Sequence, residues 1–239
     1  MIAFLRVVLV GLPVTIWYCS LILWAAYRKS DKLPCRCEEL PRRWARFLLR
    51  AADVRVEMEN AEHIVPDRAQ ILVANHLSYF DVLALLGYLP GKYRFVGKKE
   101  LTRVPFWGPS WTACGHISID RKDTMKAMES LALARRQLEE DRPTVVFFAE
   151  GTRSITGELR AFKKGAFVLA IQTGTEVVPA AIVGTREVMR KGSLAIHTGR
   201  TIRVRFGEPI PVDGLRIEDR DELTRRAHDA VAALQRLPG

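Results

Sequence analysis

Cysteine is scarce: Cys19, Cys35, Cys37 and Cys114 are the four in 239 residues. That count excludes a disulfide-stapled scaffold and makes a reducing compartment the default. Cys35 and Cys37 have no second Cys/His pair at zinc-site spacing, so no metal site is expected. Juxtamembrane acylation is the other reading their position allows. Internal repeats and low-complexity linkers are also missing, which leaves one folded unit. Acidic residues are in deficit, 27 against 37 Lys and Arg, for a formal net charge of +10 and a pI near 9.8. Such a balance implies an anionic partner: membrane headgroups, nucleic acid or a phosphorylated substrate. No zinc-finger or RNP-type signature is present, so nucleic acid is not expected.

What the amino terminus has is an apolar run. Val7 to Ala26 holds no charged residue, and as a helix it reaches about 30 Å, the thickness of a bilayer core. Trp17 and Trp24 suit interfacial anchors, and a membrane helix tolerates Pro13. The run is longer than a signal-peptide core and ends in Trp24-Ala25-Ala26-Tyr27 without a small-x-small cleavage site, so it reads as a retained anchor. Between Arg28 and Arg50 there are eight Lys/Arg against three acidic residues. The positive-inside rule then puts the body of the protein at the cytoplasmic face of a membrane. Trp44, Phe47, Leu48 and Ala51 fall at helical spacing with Arg42, Arg43, Arg46 and Arg50 opposite, a basic amphipathic helix suited to anionic membrane lipids.

Beyond it, strands and helices alternate. Ile71–Ala74, Thr144–Phe148 and Val177–Val183 read as buried strands, and Ile202, Val204 and Phe206 as the inner face of a half-exposed one. Pro179 argues that its strand lies at an edge or ends there. Helices follow from the stripes Ala127/Leu131/Ala134/Leu138, with Asp123 as N-cap, and Leu223/Ala227/Val231/Leu234. The expected fold is α/β, one domain with a central mixed sheet flanked by helices. A membrane-associated helical segment over 1–55 precedes a domain over 56–239.

Three polar stretches punctuate this pattern. The first is Asn75-His76-Leu77-Ser78-Tyr79-Phe80-Asp81, directly after a strand. On one continuous helix His76 and Asp81 would point about 140° apart. If Ser78 is a helix N-cap, the chain turns between them and His76 can fold back onto the Asp81 carboxylate. A carboxylate on one imidazole nitrogen fixes the tautomer and leaves the other as a general base. The second stretch runs from Lys98 and Lys99 to Gly115-His116-Ile117-Ser118-Ile119-Asp120-Arg121, with Lys98, Lys99 and Arg121 as potential phosphate ligands. The third is Phe148-Ala149-Glu150-Gly151-Thr152-Arg153-Ser154, again at a strand end. Gly151 permits a tight turn, Arg153 offers a planar fork for phosphate, and Glu150 orients Arg153 or binds a hydroxyl. Two polar motifs at the carboxyl ends of strands predict a shared cleft.

Together with Val177–Ile182, these stretches resemble the four sequence blocks of the glycerolipid acyltransferase family, specifically the bacterial-type 1-acylglycerol-3-phosphate acyltransferases. The resemblance covers about residues 70 to 185 and extends to the basic, membrane-anchored amino terminus. It implies His76 as general base and Asp81 as its orienting partner. It also implies Arg121, Glu150, Gly151, Thr152 and Arg153 as ligands of a lysophosphatidate-type acceptor. The acyl donor would be an acyl-CoA or acyl carrier protein thioester, with no metal and no bound cofactor. Ala149 departs from the pattern, since the family usually has proline there. Other acceptors stay open (lyso-ornithine lipid, a lysophospholipid, glycerol 3-phosphate), as do a thioesterase and a catalytically inactive lipid-binding protein.

Overall fold

Ile71-Leu72-Val73-Ala74, the run before the His76 motif, is fully buried and lies in the middle of a seven-stranded sheet. The computed structural model describes residues 2–120 and 123–238. In chain order the elements are α1 (Ile2–Tyr27), α2 (Leu33–Ala51), β1 (Val54–Glu59), β2 (Gln70–Ala74), α3 (Tyr79–Tyr88), β3 (Tyr93–Lys98), α4 (Trp107–Ala113) and β4 (Ile117–Ile119). They continue with α5 (Thr124–Glu140), β5 (Thr144–Phe148), α6 (Gly165–Thr173), β6 (Val177–Val183), α7 (Thr185–Val188), β7 (Arg200–Phe206) and α8 (Arg220–Arg236). The strand order is β1-β7-β6-β2-β5-β3-β4. All neighbours are parallel except β6 and β7, so the sheet is mixed, as expected.

Side chains alternate between faces along each strand, so neighbouring residues serve two cores. Leu72, Ala74, Val146 and Val178 pack on one face under α2 and α3. Ile71, Val73, Val145 and Val177 pack on the other under α5, α6 and α8, where the stripes containing Ala134/Leu138 and Leu223/Ala227/Val231 are buried as their spacing predicts. Asp123 caps α5 by accepting the Lys126 N–H at 3.2 Å.

Three expectations are corrected. Pro179 is not on an edge: β6 lies between β7 and β2. The proline sits where pairing with β7 is interrupted, between the Val177–Ile210 bridge and the ladder that begins at Ala180–Phe206. Its carbonyl still accepts the Gly207 N–H at 2.8 Å. The missing N–H therefore falls in an irregularity, where a central strand can carry proline. Secondly, the apolar face of α2 does not lie open for a lipid surface. Trp44, Ala45, Leu48 and Leu49 are core residues against α3. Arg46 donates to the Gly87 carbonyl at 2.7 Å, and Arg42 donates to those of Leu89 and Gly91. Cations there satisfy carbonyls left over at a helix carboxyl end. Thirdly, Cys37 and Cys114 form a disulfide between α2 and the end of α4, at a sequence separation of 77. No spacing motif marks so distant a pair.

α1 contains a 19-residue stretch, Leu9–Tyr27, long and apolar enough to cross a membrane by length and composition. One side of it packs on the domain. Trp44 Nε1 donates to Thr15 at 2.8 Å, and Ile22 clusters with the Cys37–Cys114 pair. Leu9, Leu12, Trp17 and Trp24 remain exposed.

At the far side of the sheet, Arg205 is 2 % exposed. Its guanidinium donates to Glu59 at 2.9 Å and to the carbonyls of Leu234, Leu237 and Pro238 at the end of α8. Removing it strands those acceptors. Arg205→Ala should lower the unfolding free energy by about 2–3 kcal/mol in urea titrations. A loss within about 0.5 kcal/mol would show that these bonds contribute nothing net.

Candidate active site

β2 and β5 are neighbours in register, Ala74 beside Phe148. The first and third polar stretches therefore leave the sheet side by side at its carboxyl edge. Ser78 is the N-cap of α3 and Asp81 the third residue inside, a capping box. Asp81 Oδ2 accepts the backbone N–H groups of Leu77 at 2.6 Å and Ser78 at 2.8 Å. The same oxygen lies 2.7 Å from His76 Nδ1. Helix capping and imidazole orientation thus share one carboxylate. Asp81 is fully buried, and its Oδ1 has no hydrogen-bond partner.

The third stretch grips His76 from the other side. Glu150 Oε1 accepts the His76 backbone N–H at 2.7 Å, and the Ser154 N–H donates to the His76 carbonyl at 2.8 Å. The imidazole stacks on Phe148, with ring centroids 4.1 Å apart. Asn75, next to it, clamps β6: its Oδ1 accepts the Ile182 N–H at 2.7 Å and its Nδ2 donates to the Ile182 carbonyl at 2.9 Å. The Ala149 N–H donates to the Ala74 carbonyl at 3.1 Å, a bond that proline at this place could not make.

His76 lines a cavity of about 500 Å³ whose walls include Trp44, Leu48, Val82, Leu83, Phe95 and Trp107. Gly97, Lys98, Gly151, Thr152, Arg153 and Lys191 complete a polar end. The sheet edge thus brings His76, Asp81, Gly151, Thr152 and Arg153 together. Gly151 has φ +74°, a left-handed turn that favours glycine. The Arg153 guanidinium sits 3.7 Å over the Tyr79 ring. Arg121 lies outside the described residues.

Glu150, an acceptor ligand in the resemblance, faces backbone donors in this structure. It is 3 % exposed and is not among the cavity residues. Its oxygens accept the backbone N–H groups of His76 and, at 3.2 Å, Arg160. Burial raises its pKa, opposed by those two bonds. A carboxylate is poorly suited to touch a phosphate, and here it is turned onto backbone donors instead.

Two residues have parts that sequence reasoning did not assign. Lys191 reaches the cavity from a loop without a recognisable motif. His116 is buried against Trp111, ring centroids 4.4 Å apart, and its Nδ1 accepts the Phe95 N–H at 3.2 Å. Burial, reinforced by the nearby Arg94 charge, pushes its pKa from 6.5 to about 3.

A histidine–aspartate pair at the carboxyl edge of a mixed α/β sheet, opening on a largely apolar cavity, defines the class of site. The acyltransferase family model matches residues 55–183, and the chain belongs to that family. It is 32% identical over 183 residues to the 1-acyl-sn-glycerol-3-phosphate acyltransferase alpha of Bos taurus, covering 77% of this chain and 63% of that one. It is 32% identical over 174 residues to the 1-acyl-sn-glycerol-3-phosphate acyltransferase of Limnanthes alba, covering 73% and 61%. The matches thus span less than two thirds of these relatives' length. The fold matches the crystal structure of the 1-acyl-sn-glycerophosphate acyltransferase PlsC of Thermotoga maritima. The TM-score is 0.82, with 24% identity over 97% of this chain and 92% of that one.

The depressed His116 pKa makes a prediction about stability. The unfolded chain protonates this imidazole near 6.5, the folded protein only near 3. Stability from this group is therefore intact above about pH 6.5 and falls below it by about 1.4 kcal/mol per pH unit. Between pH 7 and pH 5 the loss should be about 2 kcal/mol in denaturant titrations. His116→Gln keeps an acceptor for the Phe95 N–H and should remove that part of the slope. Parallel stability curves for the two proteins would contradict the assignment.

Proposed function

We propose that this protein is a membrane-bound O-acyltransferase. It moves a fatty acyl group from an acyl thioester to the free hydroxyl of 1-acyl-glycerol-3-phosphate, making phosphatidic acid for phospholipid synthesis. The observation that carries the reading is the 2.7 Å pair of His76 Nδ1 and Asp81 Oδ2 on a cavity with apolar walls and a cationic end. The names of the relatives support the choice of acceptor.

The chemistry follows from the groups present. Asp81 holds Nδ1, so Nε2 takes the proton of the acceptor hydroxyl as its oxygen attacks the thioester carbonyl. A C–O bond forms, the C–S bond breaks, and the proton passes from the imidazolium to the departing thiolate. The buried Asp81 charge stabilises that imidazolium, as in a serine-hydrolase triad with the serine replaced by the substrate's hydroxyl. No acyl-enzyme is needed. Ser78 is unsuited to be a nucleophile: its hydroxyl is buried, donates to the Met189 carbonyl at 2.7 Å and accepts the Phe80 N–H. Arg153, Thr152 and the Gly151 turn hold the phosphate end of the acceptor, with Arg121 as a further ligand, while the apolar walls take acyl chain. The donor is acyl-CoA or acyl carrier protein, and the steps require no metal or cofactor.

Residues 1–55 serve as the membrane-associating segment and 56–239 as the catalytic domain, on the cytoplasmic face. The exposed apolar side of α1 and the outward Arg43 and Arg50 support contact with anionic lipids.

The test is transfer from a labelled acyl thioester to lysophosphatidate by purified protein in detergent. His76→Ala should lower kcat about a thousandfold or more with the melting temperature kept. Turnover within tenfold of wild type would contradict the role of His76.

A further inference from the structure

The reading above leaves two cations at the cavity without a part, Lys98 and Lys191. Lys191 lies beyond α7, outside all four sequence blocks. Its loop is tied back at two points: Ser78 Oγ donates to the Met189 carbonyl at 2.7 Å, and the His197 N–H donates to the Val188 carbonyl at 2.9 Å. Ser78 is also the N-cap of the helix that carries Asp81. The loop is thus anchored to the element that orients the base.

From that anchor the Lys191 ammonium crosses to the third stretch. It donates to the Arg153 carbonyl at 2.7 Å and lies 3.4 Å from Thr152 Oγ1. An ammonium has three donors, so these contacts leave one for the cavity. Among the described residues, the cavity wall carries Lys98, Arg153 and Lys191 and no carboxylate. In such a site like charges repel, and the cost is recovered when an anion bridges them. A guanidinium offers a flat fork and an ammonium a point charge, so the two can engage different oxygens of one phosphate.

We propose that Lys191 is a specificity-determining ligand for the phosphate monoester of the acceptor, acting with Arg153 and Thr152. The assignment deepens the proposed acceptor and rests on that reading. It makes headgroup selection depend on a residue outside the family's blocks. A lipid without the terminal phosphate leaves the cations unneutralised and binds more weakly.

Binding is measured on the inert His76→Ala protein, so that it is read without turnover. Lysophosphatidate and monoacylglycerol of the same chain length are titrated into His76→Ala alone, with Lys191→Met and with Lys191→Arg. Lys191→Met keeps the aliphatic stem and should weaken lysophosphatidate binding about tenfold or more, leaving monoacylglycerol within about twofold. Lys191→Arg should restore most of the affinity, and all three proteins should melt alike. An unchanged Kd for lysophosphatidate overturns the assignment. So does an equal loss for both lipids, which would mark a structural role. Transfer by the wild type is measured beside these. Transfer with Lys191-independent binding keeps the proposed function and removes Lys191. Lys191-dependent binding without transfer does the reverse.

Discussion

Everything at the site depends on the way His76 is held. Four contacts fix one residue: Asp81 on the ring nitrogen, Glu150 on the backbone N–H, Ser154 on the backbone carbonyl and Phe148 beneath the ring. Three of them come from the end of β5 and the stretch after it, and one from the stretch after β2. The grip therefore exists only because β2 and β5 are adjacent, parallel and in register. A general base acts when its proton path is set within a few tenths of an ångström, and a small misplacement costs large factors in rate.

The buried Asp81 charge is the expensive part of this arrangement. It is fully buried and keeps one oxygen without a partner. Three donors converge on the other oxygen, two of them backbone N–H groups at a helix amino terminus, where a carboxylate is favoured. The same bonds start α3, so folding of the helix and orientation of the imidazole cannot be separated. Glu150 repeats the device at the next strand end, a buried carboxylate satisfied by backbone donors. Two carboxylates thus shape the backbone around the base, and the cations line the cavity.

Much of this was legible in the sequence because it is local. The strands at Ile71–Ala74 and Thr144–Phe148 are uninterrupted apolar runs, and the Ser78 cap with Asp81 is a spacing signature. Cleft formation followed from two motifs sharing a sheet edge. What could not be read depends on distant pairing. Pro179 is compatible with a central strand only because β7 breaks its ladder there. The partner of α2 is α3, and no periodicity distinguishes a protein partner from a lipid surface. Cys37 with Cys114, and Lys191 with Arg153, are contacts between segments far apart in sequence. The surroundings of Glu150 stay hidden for a similar reason: its polarity marks it as functional, but only the fold shows that backbone donors face it.

The most direct test of the central claim is the steady-state kinetics of Glu150→Gln with acceptor varied. Glutamine keeps the size of the side chain but turns an N–H₂ toward one of the two backbone donors, leaving a buried donor unpaired. If Glu150 positions His76, kcat should fall about tenfold or more while the acceptor KM stays within about twofold. A raised acceptor KM with kcat unchanged would contradict the account and return Glu150 to the acceptor.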